Sequence, residues 1–397
     1  MPPIIFRKGL DMKAAVADQL AQAYHSRIVD DLRSDGYVRT HGRLTIHLAR
    51  EFGFCYGVER AVDYAYQTRK KFPNSRVFLT GEIIHNPHVN NQLRAQGIRF
   101  LTDPGEDRTT LGRDDVVILP AFGVSVDDMV RLDRQGCTLV DTTCGSVLTV
   151  WKNVKRYAQD GFTSIIHGKL HHEETRATAS QASLFPDGHY LVVLDKREAA
   201  DVCRYIVEGG DREAFLQRFG PAASPGFDPD RHLLRIGCAN QTTMLMAESL
   251  EIGEMFRAAM EARHGAPAVD DVFRSFDTIC SATQERQDAV IALLDEAPLD
   301  LMVVIGGYNS SNTCNLAKIC AERCPTYHIA EADCLVSATE VRHRRIGAPS
   351  TSAVAETVAR DWLPANRPLV IGLTAGASTP NNVVGQVVAR LEALAGS

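Results

Sequence analysis

Apolar residues recur along this chain in two periods that alternate. Val58, Ala61, Val62, Ala65 and Tyr66 fall at offsets 0, 3, 4, 7 and 8, which marks one buried face of a helix. Short, continuous apolar runs separate such stretches: 44–48 (LTIHL), 77–79, 116–119, 138–140, 164–166, 190–194, 233–237, 301–305 and 369–373. Runs this short, bounded by Gly, Pro and polar residues, predict buried strands. Strands alternating with helices predict an α/β fold with mostly parallel sheets, and ligands at the carboxyl ends of the strands. Near the start, Leu10, Ala14, Val16, Leu20, Ala23 and Ile28 predict one amphipathic helix over 10–35.

The polar segments between these elements repeat. A short apolar strand at 272–273 leads to Cys280, and a helix rich in Gln, Glu and Arg opens at once. Cys55 and Cys144 stand in the same way before helices. His85 follows Cys55 by 30 residues, His172 follows Cys144 by 28, and Asn309 follows Cys280 by 29. Each copy reads as Cys, helix, strand, polar loop, then helix, strand and a second polar loop. We therefore expect three similar α/β units arranged pseudo-threefold, with three thiols and six polar loops at the centre. The expected boundaries are an N-terminal helical extension at 1–45, a first unit at 46–143, a second at 144–279 and a third at 280–397 that ends in a C-terminal helix. The second unit carries an insertion at about 195–232, closed by the Pro/Gly-rich PAASPGFDPD.

Composition narrows the picture. The chain has 397 residues, 45% hydrophobic and 23% charged, as in a globular protein. A net charge of −6 offers no basic field for nucleic acid. No apolar run approaches the roughly 20 residues of a membrane helix. The short run at 2–6 precedes Arg7 and Lys8, the reverse of a signal peptide, and the Asp residues of 1–45 argue against a transit peptide. The expected location is the cytoplasm, where ten cysteines are thiols, metal ligands or catalytic groups rather than disulfides.

A thiol at a helix start is favoured as thiolate by unpaired N–H groups and the positive helix end. Three convergent cysteinates suit an iron–sulfur cluster or a zinc ion. A [4Fe–4S] cluster with three Cys ligands keeps one open iron for substrate. The loops offer His85, His172, Thr242, Thr243, Asn309, Ser310, Asn312 and Ser378, neutral donors that suit a diphosphate held at helix N-termini. Glu174 is an acid set among such donors, a natural proton donor. Cys314, Cys320, Cys324 and Cys334 read as core thiols, since Cys314 and Cys320 lie about 240° apart on a helix. Cys137, Cys203 and Cys238 read as packing. His167, His171 and Glu173 are read as structural or surface groups.

Eight motifs, in order, carry a resemblance. They are FCYGVERAV (54–62), GEIIHNPHV (81–89), DTTC (141–144), HGKLHHEETRAT (167–178), NQTTM (240–244), DTICSATQERQ (277–287), YNSSNT (308–313) and TAGAS (374–378). The chain resembles the 4-hydroxy-3-methylbut-2-enyl diphosphate reductase family, the last enzymes of the methylerythritol phosphate route to isoprenoids. Its length resembles the branch found in cyanobacteria and plant plastids. The resemblance implies a [4Fe–4S] cluster on Cys55, Cys144 and Cys280. It implies diphosphate binding by His85, His172, Ser310, Asn312 and Ser378, with Thr243 and Ser311 nearby. It makes Glu174 the proton relay and Thr242 its hydrogen-bonded partner. It implies reductive dehydroxylation to isopentenyl and dimethylallyl diphosphate, with ferredoxin or flavodoxin as electron donor and a monomer or homodimer as the working form. Phe122 departs from the shorter bacterial members, which carry His there, so one phosphate contact must be remade or omitted. Gly145 stands where those members often have Pro.

Overall fold

The computed structural model describes residues 4–276, 279–348, 355–365 and 367–395. Asp277 and Thr278, at the start of the third expected copy, lie outside the described residues. The chain divides into two compact units. One comprises Asp107–Cys280 with the N-terminus up to Ile5; the other comprises Phe6–Glu106 and Ser281–Ser397.

In the first unit, four strands form an all-parallel sheet in the order Phe273–Ser275, Ile236–Asn240, Thr163–His167, Tyr190–Val193. Alternate residues serve opposite faces. Ile236 and Cys238 join a core with Val202, Ile206, Ile252 and Phe256 from two helices, Lys196–Glu208 and Met246–His264. Ala239 turns to the other face, against Val150 and Val154 of helix Gly145–Gln159. Strands Val116–Leu119 and Thr138–Asp141 pair in parallel in the same unit. Segment 195–232 is folded, and its Phe215 and Phe219 pack against Tyr205 and the sheet core.

The second unit holds a seven-stranded sheet in the order Glu356–Arg360, Glu340–Arg344, Thr326–Ile329, Leu301–Ile305, Leu369–Ala375, Leu44–Leu48, Val38–His41. The middle four strands run parallel, and antiparallel strands close both edges. Leu301–Ile305 is buried along its whole length. Leu301, Val303 and Ile305 face helix Asn381–Ala395, while Met302 and Val304 face Leu316 and Val290 of helices Ser311–Ala321 and Ser281–Glu296. In the same unit Val77–Leu79 pairs in parallel with Ile98–Phe100.

Three expectations need correction. Leu44–Leu48, read as the strand that opens segment 46–143, pairs with Leu369–Leu373 of the last segment. Its residues name no partner, because an apolar strand fits any parallel sheet. The helix over 10–35 is two helices, Lys13–Tyr24 and Arg27–Ser34. Ser26 breaks the pattern by accepting a hydrogen bond from Val29 N–H at 3.4 Å, as an N-cap. The strand expected at 233–237 runs from Ile236 to Asn240, since Leu233 is buried at the end of the short helix Pro229–His232. No described helix is long and apolar enough to cross a membrane.

Leu373 sits in the middle of the seven-stranded sheet and is 0% exposed. Leu373→Ala should cost about 2–5 kcal/mol, whereas Val358→Ala on the exposed edge strand should stay within about 0.5 kcal/mol. Denaturant unfolding checks both; equal midpoints for the two variants would contradict this account of the core.

Candidate active site

In the first unit, the polar loops leave the carboxyl ends of the parallel strands. The loop after Thr163–His167 turns into helix Glu173–Ser180, whose N-cap is His172. The His172 ring accepts at Nδ1 from Glu174 N–H, 3.2 Å away. The neutral ring therefore carries its proton on Nε2. Glu174 is 1% exposed, and its Oε1 accepts from the backbone N–H of Thr242 at 2.5 Å. The bond expected between these two residues is thus made by the Thr242 main chain. Thr242 in turn accepts at its carbonyl from Cys280 N–H at 3.2 Å. Glu174, Thr242 and Cys280 form one continuous run.

Gln241 holds the two loops together. Its Oε1 accepts from Lys169 N–H at 3.2 Å and Thr175 Oγ1 at 3.1 Å, and its Nε2 donates to Thr243 Oγ1 at 2.7 Å. Its side chain is fully buried, and the bond to Thr175 is buried with it. Cys144 is the N-cap of helix Gly145–Gln159, and its N–H donates to Ala121 O at 3.0 Å. The neighbouring Phe122 ring meets the His172 ring edge-on at 5.6 Å. Phe122 therefore supports His172 by packing. Gly123 adopts φ +75°, and a Cβ there would lie 2.3 Å from the Trp151 ring, so only glycine brings this loop so close.

His167 departs from this group. It is 2% exposed, bonds Ser249 Oγ at 2.8 Å, and burial pushes its pKa down to about 4. It is a neutral core histidine.

In the second unit, Cys55 is the N-cap of helix Tyr56–Lys71. Its N–H donates to Ala377 O at 3.2 Å, beside Ser378. Ser378 Oγ donates to His85 O at 3.2 Å. His85, 6% exposed, bonds Glu82 Oε2 through Nδ1 at 2.9 Å, and Asn309 Nδ2 donates to the same carboxylate oxygen at 2.9 Å. Glu82 therefore fixes both ring and amide. Ser310 caps helix Ser311–Ala321 by accepting from Thr313 N–H. Asn312 accepts from Ala377 N–H at 2.8 Å through Oδ1, which leaves its Nδ2 buried with no acceptor among the described residues. Gly376 lets these loops approach, since a Cβ there would fall 1.9 Å from Thr313 Oγ1. Tyr308 donates to Glu356 at 2.8 Å and anchors the loop from the sheet edge.

Cys55, His85, Asn309, Ser310, Ser311, Asn312 and Ser378 thus gather in the second unit. Cys144, His172, Glu174, Thr242, Thr243 and Cys280 gather in the first. Cys55 and Cys144 are helix N-caps, and Cys280 directly precedes helix Ser281–Glu296. All three are half-buried. The remaining cysteines are built differently. Cys320 and Cys334 lie in the cores, Cys137 and Cys238 are buried, and Cys314 Sγ donates to Tyr308 O at 3.4 Å. Burial holds the thiols of Cys238, Cys320 and Cys324 protonated, and pushes Cys203 up to about 12. Chemically, the collected donors suit an anion rich in oxygen acceptors, and the three thiols suit a soft metal centre.

Two residues that hold candidate site residues in place, Glu82 and Gln241, are not among those the sequence singles out. A carboxylate three residues before His85 was a legible signal for the first. In sequence Gln241 is one more loop amide; its burial and three-way bonding set it apart.

A family model described as LytB protein matches residues 46–392. The 4-hydroxy-3-methylbut-2-enyl diphosphate reductase of Gloeobacter violaceus is 50% identical over 398 residues, covering 98% of this chain and 93% of that protein. The reductase of the same name from Thermosynechococcus vestitus is 49% identical, with 98% and 94% covered. Among solved structures, a (E)-4-hydroxy-3-methyl-but-2-enyl diphosphate reductase, described as the terminal enzyme of the non-mevalonate pathway, is 26% identical with a TM-score of 0.50. It covers 88% of this chain and 99% of its own. The Plasmodium falciparum E-1-hydroxy-2-methyl-but-2-enyl-4-diphosphate reductase shares the fold at 20% identity and a TM-score of 0.60, covering 87% of this chain and 86% of its own.

Asn312→Asp keeps the acceptor that Ala377 uses and replaces the buried donor with a negative charge. Affinity for inorganic diphosphate should fall about 10- to 100-fold, as expected for one charge-assisted hydrogen bond. Titration calorimetry measures it, and an unchanged dissociation constant would remove Asn312 from the anion site.

Proposed function

The chain belongs to the LytB family, and from that membership we infer that it reduces 4-hydroxy-3-methylbut-2-enyl diphosphate to isopentenyl diphosphate and dimethylallyl diphosphate, the last step of the methylerythritol phosphate route. The reaction removes the hydroxyl as water and consumes two electrons and two protons. The observation that carries this reading is the standing of Cys55, Cys144 and Cys280 directly before helices, in loops otherwise made of neutral donors.

We assign those three cysteines as ligands of a [4Fe–4S] cluster with one open iron. Their placement fits that group: each thiol stands directly before a helix, at its positive end. The other cysteines lack this placement, and burial favours the protonated thiol at Cys203, Cys238, Cys320 and Cys324. When bound, the cluster supplies one-electron reduction and a Lewis-acidic iron. The electrons come from a low-potential carrier protein of the ferredoxin or flavodoxin kind.

The chain's own residues place the substrate and its protons. Asn312 offers a buried amide donor, and Ser310 and Ser311 open a helix whose first N–H groups favour phosphate oxygens. His85 and Ser378 belong to the same set, His85 held by Glu82 and Ser378 tied to the His85 carbonyl. His172 presents Nε2–H, and Thr243 adds a hydroxyl fixed by Gln241. Neutral donors and helix N-termini of this kind suit a diphosphate without an Arg or Lys clamp. Glu174, buried and aimed by Thr242 N–H, holds the proton that leaves with the hydroxyl.

Glu174→Gln preserves shape and removes the transferable proton. Turnover under reducing, anaerobic conditions should drop about 10²- to 10⁴-fold, while iron content and visible absorbance stay at the wild-type level. Turnover close to wild type would dismiss Glu174 as the proton source.

A further inference from the structure

Arg286 presents an electrostatic imbalance that the site residues leave unexplained. It lies on helix Ser281–Glu296, which begins one residue after Cys280, and it is 3% exposed. Its Nε donates to Gly53 O at 3.0 Å, and its Nη2 donates to Gly53 O at 2.8 Å and Phe54 O at 3.1 Å. Its Nη1 donates to Ala282 O at 2.8 Å. Every bond is to a backbone carbonyl. Among the described residues no carboxylate pairs with this guanidinium.

A buried cation without a counter-charge costs several kcal/mol. Carbonyl oxygens satisfy its donors but leave its charge uncompensated. Such a group persists where something else offsets it. The two carbonyls it grips belong to the residues immediately before Cys55. The same turn is fixed from its other side by Gly53 N–H to Ala375 O at 3.0 Å and Cys55 N–H to Ala377 O at 3.2 Å. The guanidinium fork therefore sets the backbone that aims the Cys55 thiol.

We propose that Arg286 is a positioning residue for Cys55 and supplies the fixed positive charge that favours the reduced form of the metal centre. The charge role rests on the cluster assignment above. A cluster held by three thiolates is anionic and becomes more so on each reduction, so a buried cation nearby makes reduction easier. The positioning role rests only on the hydrogen bonds. Lysine would carry the same charge but could not reproduce the planar fork on two successive carbonyls.

Arg286→Gln and Arg286→Lys separate the two roles. In apo-protein, iodoacetamide labelling of each cysteine is followed by peptide mass spectrometry. Both variants should label Cys55 about fivefold faster or more, as expected for loss of hydrogen bonds that hold the turn, with Cys144 and Cys280 within about twofold of wild type. In anaerobically reconstituted protein, Arg286→Gln should shift the one-electron reduction equilibrium about tenfold toward the oxidised form, or about 59 mV, and Arg286→Lys should shift it far less. Wild-type labelling rates at Cys55 in both variants would overturn the positioning role. A wild-type potential in Arg286→Gln would overturn the charge role. Wild-type protein that takes up no iron and sulfide would remove the charge role together with the cluster assignment, while the labelling result alone still decides positioning.

Discussion

A thiol placed at the first turn of a helix is the arrangement on which the rest of each unit depends. The helix end offers unpaired N–H groups and a partial positive charge to an anionic group placed there. Cys55, Cys144 and Cys280 occupy such positions, and each is held by a backbone N–H bond to a strand-end loop: to Ala377, Ala121 and Thr242 respectively. The seven other cysteines lack this placement. Most are buried, and where burial moves the thiol it moves it away from reactivity.

The second theme is that loops hold one another through buried hydrogen bonds to main chain and amide groups. Gln241 joins the Glu174 loop to the Thr242 loop. Glu82 orients His85 and Asn309 with a single oxygen. Arg286 grips the turn before Cys55. These contacts fix the donors in advance, which would leave little ordering cost for an anion bound by them. Phe122 fits the same logic: where the shorter bacterial relatives are expected to have a histidine, this chain packs a ring against His172.

Much of this was legible in the residues. Strands such as Leu301–Ile305 and Val116–Leu119 stood out as short apolar runs between turn signals, and they fold with those bounds. The helix after Cys55 was visible in its 3.6-residue period. Strand partnership was not. Leu44–Leu48 joins Leu369–Leu373, far away in sequence, because parallel pairing is decided by tertiary packing rather than by local pattern. The break at Ser26 was missed because apolar spacing continued across it while a capping hydroxyl ended one helix and began another. At the candidate site, residue type and repeat position single out the side chains proposed to react and to bind. Their supports are not singled out, since Glu82, Gln241 and Arg286 differ from surface amides and charges only in what surrounds them.

We propose that the hydroxyl is removed by reduction, with electrons delivered to a cysteine-held iron–sulfur centre. The most direct measurement incubates anaerobically prepared, iron-replete protein with the hydroxylated diphosphate, with and without a low-potential reductant, and analyses the products. The account predicts isopentenyl and dimethylallyl diphosphate only when reductant is supplied, with two electrons consumed per molecule of product. Conversion that proceeds equally without reductant, or reductant oxidised with no diphosphate product, would contradict it.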